Sequence, residues 1–391
     1  SAQMKAKLQV FWHNYEYLII DKMSMIGKTF LAKLSRNITV GKMAEGKAAS
    51  SASFGGINVI MCSDFHQFPP VAVSPSEALY VPLRPQSDLT LAQVGHAIYD
   101  EFQTVMVLKE QMHIMDQTWL DFLNHLRMGR VQEHHITMLR TLVLTNPVAH
   151  MPDFTMSPWA DASLVTPRHA MCQQWNNAAL CKHVCLSAGI IFVCAADDTV
   201  KGEWLSLEEH FAFVSQMNGG HHQKGNLPDS VEISLGMKVM VMQNVETDLD
   251  IMNRACGIVV DILLHLDEPT FPVTGGAVHL KHLPLYILVK LCRICTSHLP
   301  GLQPSVILVK PVSKTYHICY TTSAGVKVTC CVQCLQYPMT SAYAFTDYWS
   351  QGQTISHVLV DIAQPPTGGL NLFNLYVALS RSSGHETIRL L

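Results

Sequence analysis

Phe54-Gly-Gly-Ile-Asn-Val-Ile-Met-Cys-Ser-Asp64-Phe-His-Gln67-Phe-Pro-Pro70 sets a Gly-Gly turn ahead of the apolar run 57–62 and puts Asp64 and Gln67 just past its end. A short apolar run bounded by turn residues reads as a buried parallel strand. The double proline stiffens the exit from it. Upstream, Tyr17-Leu-Ile-Ile-Asp21 repeats the pattern, a run ending in an acid, and residues 104–108 make a third. Between the first two, Phe30, Leu31 and Leu34 recur at helical spacing and lead into a polar Gly/Ser/Ala loop over 41–53. Strand, helix and strand in that order predict an α/β layer.

An acid at the tip of such a strand is how a nucleotide-hydrolysing motor holds magnesium, and the residue after it ordinarily activates the attacking water. Asp21 suits the first role, and Lys22 occupies the second position. Gln67 is of the type that senses a γ-phosphate or orients water. Far downstream, Ser350-Gln-Gly352-Gln353-Thr354 is a small polar loop able to approach phosphates. Leu375-Tyr-Val-Ala-Leu-Ser-Arg381 reads as a helix presenting a candidate arginine finger.

The 391 residues, 48% of them hydrophobic, allow two or three domains with real cores. A net charge of -3 excludes binding driven by a global positive field, so any nucleic-acid surface must be a local groove. No apolar stretch reaches the length of about 18 residues that a membrane helix needs. Ser1 opens no basic-then-apolar leader, so the chain is expected inside the cell, with its 12 cysteines reduced. No Gly-x-Ser-x-Gly elbow supports a serine hydrolase.

Trp119, Phe122, Leu123 and Leu126 predict a helix that Gly129 ends, and Ile136, Leu139 and Val143 predict another. Pro147, Pro152 and Pro158 mark a boundary, after which Ser163-Leu-Val-Thr166 opens a second strand–helix unit through Trp175 and Leu180. Past Gly257, the segments 258–266, 286–291, 305–309 and 317–321 read as strands without intervening helices. Val358-Leu-Val-Asp361 and the helical stretch that follows return to α/β.

In order along the chain, Ile-Ile-Asp21, Ser-Asp64-Phe-His-Gln67-Phe-Pro-Pro70, Val-Thr166-Pro-Arg168, Ser350-Gln-Gly-Gln-Thr354 and Ala-Leu-Ser-Arg381 resemble the motifs of superfamily-one DNA helicases of the Pif type. The transposon-borne, Helitron-like branch is the most similar, and the resemblance runs from Tyr17 to Leu391. It implies an α/β fold of two RecA-like P-loop NTPase domains, the first one truncated, with a small SH3-like β-barrel inserted in the second. The expected divisions are residues 1–150, 151–256, 257–341 (the barrel) and 342–391. The implied activity is ATP hydrolysis coupled to translocation on single-stranded DNA and duplex unwinding. The family's settings are DNA repair, recombination and telomere maintenance, with ATP and Mg2+ as cofactors, in a nuclear monomer without a membrane segment. By motif match, Asp21 would hold magnesium, Gln67 would sense the γ-phosphate and Arg381 would be the finger. His113, Gly352 and Gln353 would face the nucleotide, and Thr166, Ser350 and Thr354 the DNA.

Against the family pattern, Lys22 replaces the catalytic Glu, Ser63 a Gly, and His113 an Arg. Arg254 and Cys256 replace Gly and Arg in a turn, and Trp349 replaces a basic residue. Each change follows from one C-to-T or G-to-A transition, as in a decaying transposon copy. The Gly-rich phosphate loop is expected ahead of Tyr17, where 16 residues stand without one. Gly41-Lys-Met-Ala-Glu-Gly46-Lys47-Ala48 matches its spacing but carries Ala in place of Ser or Thr, and it follows the acidic strand. The resemblance therefore implies a motor remnant that does not hydrolyse ATP. Two other readings compete: zinc held by Cys292, Cys295, Cys331 and Cys334, whose two C-x2-C pairs have the spacing of structural sites, and a non-catalytic single-strand binder that stacks bases on Phe65, Phe68, Tyr348 and Trp349.

Overall fold

The computed structural model describes residues 2–43, 52–71, 73–84, 89–147, 149, 151–218, 227–242, 254–270, 276–292, 301–322, 325–365 and 369–391. The chain divides into two compact units, Ser1–Asp161 with Ser350–Leu391, and Ala162–Trp349.

The first unit opens with α1 (Ala2–Trp12), β1 (Tyr17–Asp21), α2 (Lys28–Lys42) and β2 (Asn58–Cys62). It continues with three helices, α3 (Thr90–Asp100), α4 (Gln117–Arg127) and α5 (Glu133–Leu142). The two apolar runs pair in parallel, Tyr17 opposite Asn58 and Asp21 opposite Cys62, so Asp21 and the Ser63-Asp64 step leave the sheet at the same edge. Leu31 and Ile38 of α2 meet Phe54, Leu79 and Ile98 in the core that covers this pair. The C-terminal segment of the unit supplies β17 (Val358–Val360), α9 (Leu372–Leu379) and β18 (Ile388–Leu390), with β17 and β18 parallel. The third expected strand does not form: residues 104–108 have no regular secondary structure and no ladder partner, and Val105 to Leu108 are each at least 73% exposed. Strand propensity needs a neighbouring backbone to be realised. Among the described residues, β1 and β2 pair only with each other.

One close crossing holds α2 to α3. A Cβ built on Gly95 would lie 1.9 Å from the Lys28 carbonyl oxygen and 2.5 Å from its carbon. These are backbone atoms of a wholly buried residue whose Nζ donates to the Ser76 carbonyl at 2.9 Å. In an ordinary helix Ala in place of Gly stabilises by about 1 kcal/mol. Gly95→Ala should instead cost about 3 kcal/mol or more, because the two helices must separate. Urea denaturation measures this, and an unchanged midpoint would refute the crossing.

The second unit runs β3 (Ser163–Thr166), α6 (His169–Ser187), β4 (Ile191–Ala195), β5 (Asp197–Val200), β6 (Glu203–Trp204), α7 (Leu207–Asn218), β7 (Ser230–Ile233) and β8 (Lys238–Val241). Seven strands follow without a described helix: β9 (Cys256–Leu263), β10 (Ala277–His279), β11 (Tyr286–Leu291), β12 (Val306–Val309), β13 (Val312–Thr321), β14 (Lys327–Gln336) and β15 (Met339–Ser341). Then come β16 (Ala344–Thr346), parallel to β3, and the single turn α8 (Asp347–Ser350). The largest sheet has the order β12-β11-β9-β8-β15, and its apolar face, with Ile287, Val289, Val239 and Met339, builds the unit's main core.

Strand β14 also decides the thiol question. Side chains three apart on a strand point to opposite faces, and here Cys331 is exposed while Cys334 is 3% exposed. The pair cannot converge on one ion, so the four-cysteine zinc reading fails at this end; Cys295 lies outside the described residues. Arg254 has φ 77°, a left-handed conformation that favours glycine, as expected of a turn position where the family pattern has Gly.

Candidate functional site

The tips of β1 and β2 and the loop after Ser350 meet within the first unit. Asp21 closes β1, is exposed, and accepts the backbone N–H of Lys22 on Oδ1 at 2.8 Å. Lys22 itself is left-handed, with φ 56°, and so turns sharply off the strand. Its Nζ lies 3.5 Å from where a Cβ of Gly352 would stand, which puts the ammonium against the polar loop.

After β2 the chain turns on Asp64, whose Oδ1 accepts the His66 amide at 3.0 Å while the Gln67 amide donates to its carbonyl at 3.0 Å. That turn brings Gln67 to Gln351, whose Nε2 donates to Gln67 Oε1 at 2.9 Å. The Asp64 carboxylate also receives Arg127 from α4, through NH2 at 2.9 Å and Nε at 3.2 Å, and the Tyr376 hydroxyl from α9 at 3.3 Å. Burial pushes this carboxyl up, but the His66 amide and the Arg127 guanidinium outweigh it and hold it below its ordinary value of 3.8. Burial and the neighbouring Asp64 raise the Tyr376 hydroxyl to about 12. A depressed acid stabilises the fold above its unfolded pKa and loses that contribution as pH falls through the folded one. Asp64→Asn should therefore flatten the acid limb of the stability–pH curve below about pH 4. Parallel curves for both proteins would show that Asp64 carries no such linkage.

Arg381 is 8% exposed and does not project from its helix. Its Nε donates to the Val377 carbonyl at 2.8 Å, and NH2 donates to Ser380 Oγ at 2.7 Å. Its NH1 reaches the carbonyls of Gln353 at 3.1 Å and Ser350 at 3.4 Å. Burial lowers its pKa to about 10. The guanidinium is thus a clamp between α9 and the 350–353 loop.

The structure brings Lys22, Gln67, Gly352, Gln353 and Arg381 into one neighbourhood through these contacts, with Asp21 beside Lys22. Among the remaining residues singled out by sequence, His113 is half-buried in the irregular stretch before α4. Thr166 and Ser350 are both 0% exposed, whereas Thr354 is exposed. Thr166 Oγ1 accepts the Arg168 amide at 3.1 Å, next to the start of α6. Of the aromatic residues, Phe68 is core at 1% exposed. Phe65 packs edge-on to Tyr80 and, with His66, Arg127, Leu372 and Phe373, lines a cleft of 310 Å³. Sequence reasoning picked out Asp64 without a role for it, and missed Arg127 and Tyr376 as its neighbours and Gln351 as the partner of Gln67. It also missed Asp116, which caps α4 and holds both the His385 amide and its ring Nδ1. The Asp64-Phe-His step signalled an Asx turn; nothing in the sequence signalled its distant partners.

The described residues do not fit magnesium well. Hard divalent ions want convergent oxygen ligands. Asp21 offers one exposed carboxylate with an ammonium-bearing residue beside it, and Asp64 is already committed to Arg127 and Tyr376. Gly41 lies in the last turn of α2, not in a strand-to-helix loop, and residues 44–51 of that Gly/Lys stretch lie outside the described residues.

Residues 1–135 match the family model described as PIF1-like helicase. Among curated proteins, the chain is 22% identical to the ATP-dependent DNA helicase PIF7 of Trypanosoma brucei over 390 residues, which is 96% of this chain and 36% of that protein. It is 25% identical to mouse ATP-dependent DNA helicase PIF1, over 68% of this chain and 37% of the relative. The chain thus spans little more than a third of these relatives. Among solved structures, Candida albicans Pif1 helicase aligns with a TM-score of 0.60 and 22% identity, over 100% of this chain and 75% of that one. Bacteroides Pif1 bound to single-stranded DNA aligns with a TM-score of 0.59 and 17% identity, over 98% and 72%. No helix of the described residues is long and apolar enough to cross a membrane. Over residues 1–135 the chain carries the pattern of the PIF1-like helicase family, and along nearly its whole length it has the mixed α/β fold of Pif1 helicase structures.

Proposed function

We propose that this chain is the core of an ATP-dependent DNA helicase of the Pif type whose hydrolytic chemistry has been lost. The observation that carries the reading is Lys22. It follows the strand-end acid where a base is needed, and its ammonium lies against Gly352. The other phosphate-facing candidates are turned onto protein partners, Gln67 onto Gln351 and Arg381 onto backbone carbonyls. The two-RecA organisation, with residues 257–341 as an inserted SH3-like barrel, belongs to the same reading and is supported by the run from β9 to β15, helix-free among the described residues. So does a Helitron-like origin, supported by substitutions that are each one transition from the family pattern. ATP and single-stranded DNA are the ligands this lineage implies, and the relatives' names and the DNA-bound Bacteroides structure lend it support. Single-strand-stimulated ATP hydrolysis by the 391-residue chain tests the proposal, and turnover would overturn it.

A further inference from the structure

Helix α4 carries Asp121 and His125 four residues apart, hence on one face, and the turn after it returns His134 and His135 at the start of α5. His135 Nε2 lies 2.8 Å from Asp121 Oδ2, His134 Nε2 lies 3.9 Å from the same oxygen, and His125 Nδ1 lies 3.5 Å from Oδ1. One ligand atom each from Asp121, His125 and His135 falls within 4.8 Å of the other two. We propose that Asp121, His125 and His135 bind a single divalent ion of the zinc class, with His134 at the rim as a further imidazole.

The donor chemistry selects the ion. Two or three imidazoles and one carboxylate suit Zn2+ and its borderline neighbours, whereas Mg2+ and Ca2+ want oxygen alone. The surroundings are partly prepared for it. His125 Nδ1 donates to the Asp121 carbonyl at 2.9 Å and its Nε2 accepts Gln132 Nε2 at 3.3 Å, so the ring is oriented through both nitrogens beside the Asp121 carboxylate. His135 is 1% exposed and packs its ring 5.8 Å from that of Phe122, so its direction is held by the core. Two rearrangements are required: His125 gives up the Gln132 side-chain amide or the Asp121 carbonyl to free a nitrogen, and His135 changes tautomer. In this geometry His135 Nδ1 accepts the Gln132 amide at 3.2 Å and Nε2–H points at Asp121. Metal entry moves the proton from Nε2 to Nδ1 and gives up that long hydrogen bond. The ion would then staple α4 to α5.

Cobalt(II) added to the 391-residue chain, freed of metal beforehand, tests this by visible absorption. Expected are one equivalent bound with tetrahedral d–d bands, no thiolate charge-transfer band, and displacement by Zn2+. His125→Ala and Asp121→Asn alter partly exposed side chains and should each weaken binding at least ~10-fold while circular dichroism stays unchanged. His317→Ala, whose imidazole neighbours Cys331, should leave the bands in place. No cobalt bound at millimolar concentration, thiolate bands, or d–d bands that survive both variants would each overturn the proposal.

Discussion

The chain is expected to show no ATP hydrolysis above background with single-stranded DNA, and Lys22→Glu is expected to leave that result unchanged. A general base is worth roughly 10²–10⁴-fold and a positioned arginine roughly 10³–10⁵-fold. Lys22→Glu restores the first contribution only. Arg381 remains turned onto Val377, Ser380, Gln353 and Ser350. The stretch with the spacing of a phosphate loop begins inside the last turn of α2, so its first glycine is helical and cannot cradle a phosphate. Hydrolysis by the unaltered chain would show that Lys22 is not the block. Hydrolysis that appears only in Lys22→Glu would show that the rest of the site is intact and that one residue silenced it.

Arg381→Ala is expected to lower the unfolding free energy by about 2–4 kcal/mol. Each buried acceptor left without a donor costs about 1–3 kcal/mol, and relief from burying a cation returns part of that. Arg381→Lys should rescue little, since one ammonium cannot reproduce a planar fork with donors in three directions. Urea denaturation of the three proteins decides the matter. Equal midpoints would mean that the guanidinium is free and available as a finger, contrary to the clamp described above.

Sequence reading succeeded where one physical signal dominated. Apolar runs correctly marked the parallel strands β1, β2 and β17, but only β17 is buried throughout; Tyr17, Ile19 and Ile60 are exposed, so the expected burial of β1 and β2 holds for one face at most. Helical spacing with a terminal glycine delimited α4, where Gly129 is left-handed with φ 66°. The stretch 104–108 carried the same apolar mark and misled, because a strand is a property of two segments. β14 escaped notice although Val328, Cys330, Val332 and Cys334 alternate; cysteines read as metal ligands concealed a period of two. In the candidate site, residue types were legible and their directions were not. Arg381 could be picked out as a cation in the right place, but its turn inward depends on carbonyls that every residue has. The Gln67–Gln351 bond joins neutral side chains 284 positions apart and leaves no charge or periodicity to find.

The crossing of α2 over α3 bears on the decay proposed for this gene. Glycine codons are GGN, and every transition that changes their meaning yields Ser, Arg, Asp or Glu. At position 95 each of these places a side chain where the Lys28 carbonyl already stands, 1.9 Å from the first added carbon. If the reading frame has drifted by transitions, chemistry could be erased at Lys22 at little cost to the fold, while a single mutational hit at codon 95 would have ended folding. On the reading proposed above, Gly95 is a position that such drift has spared.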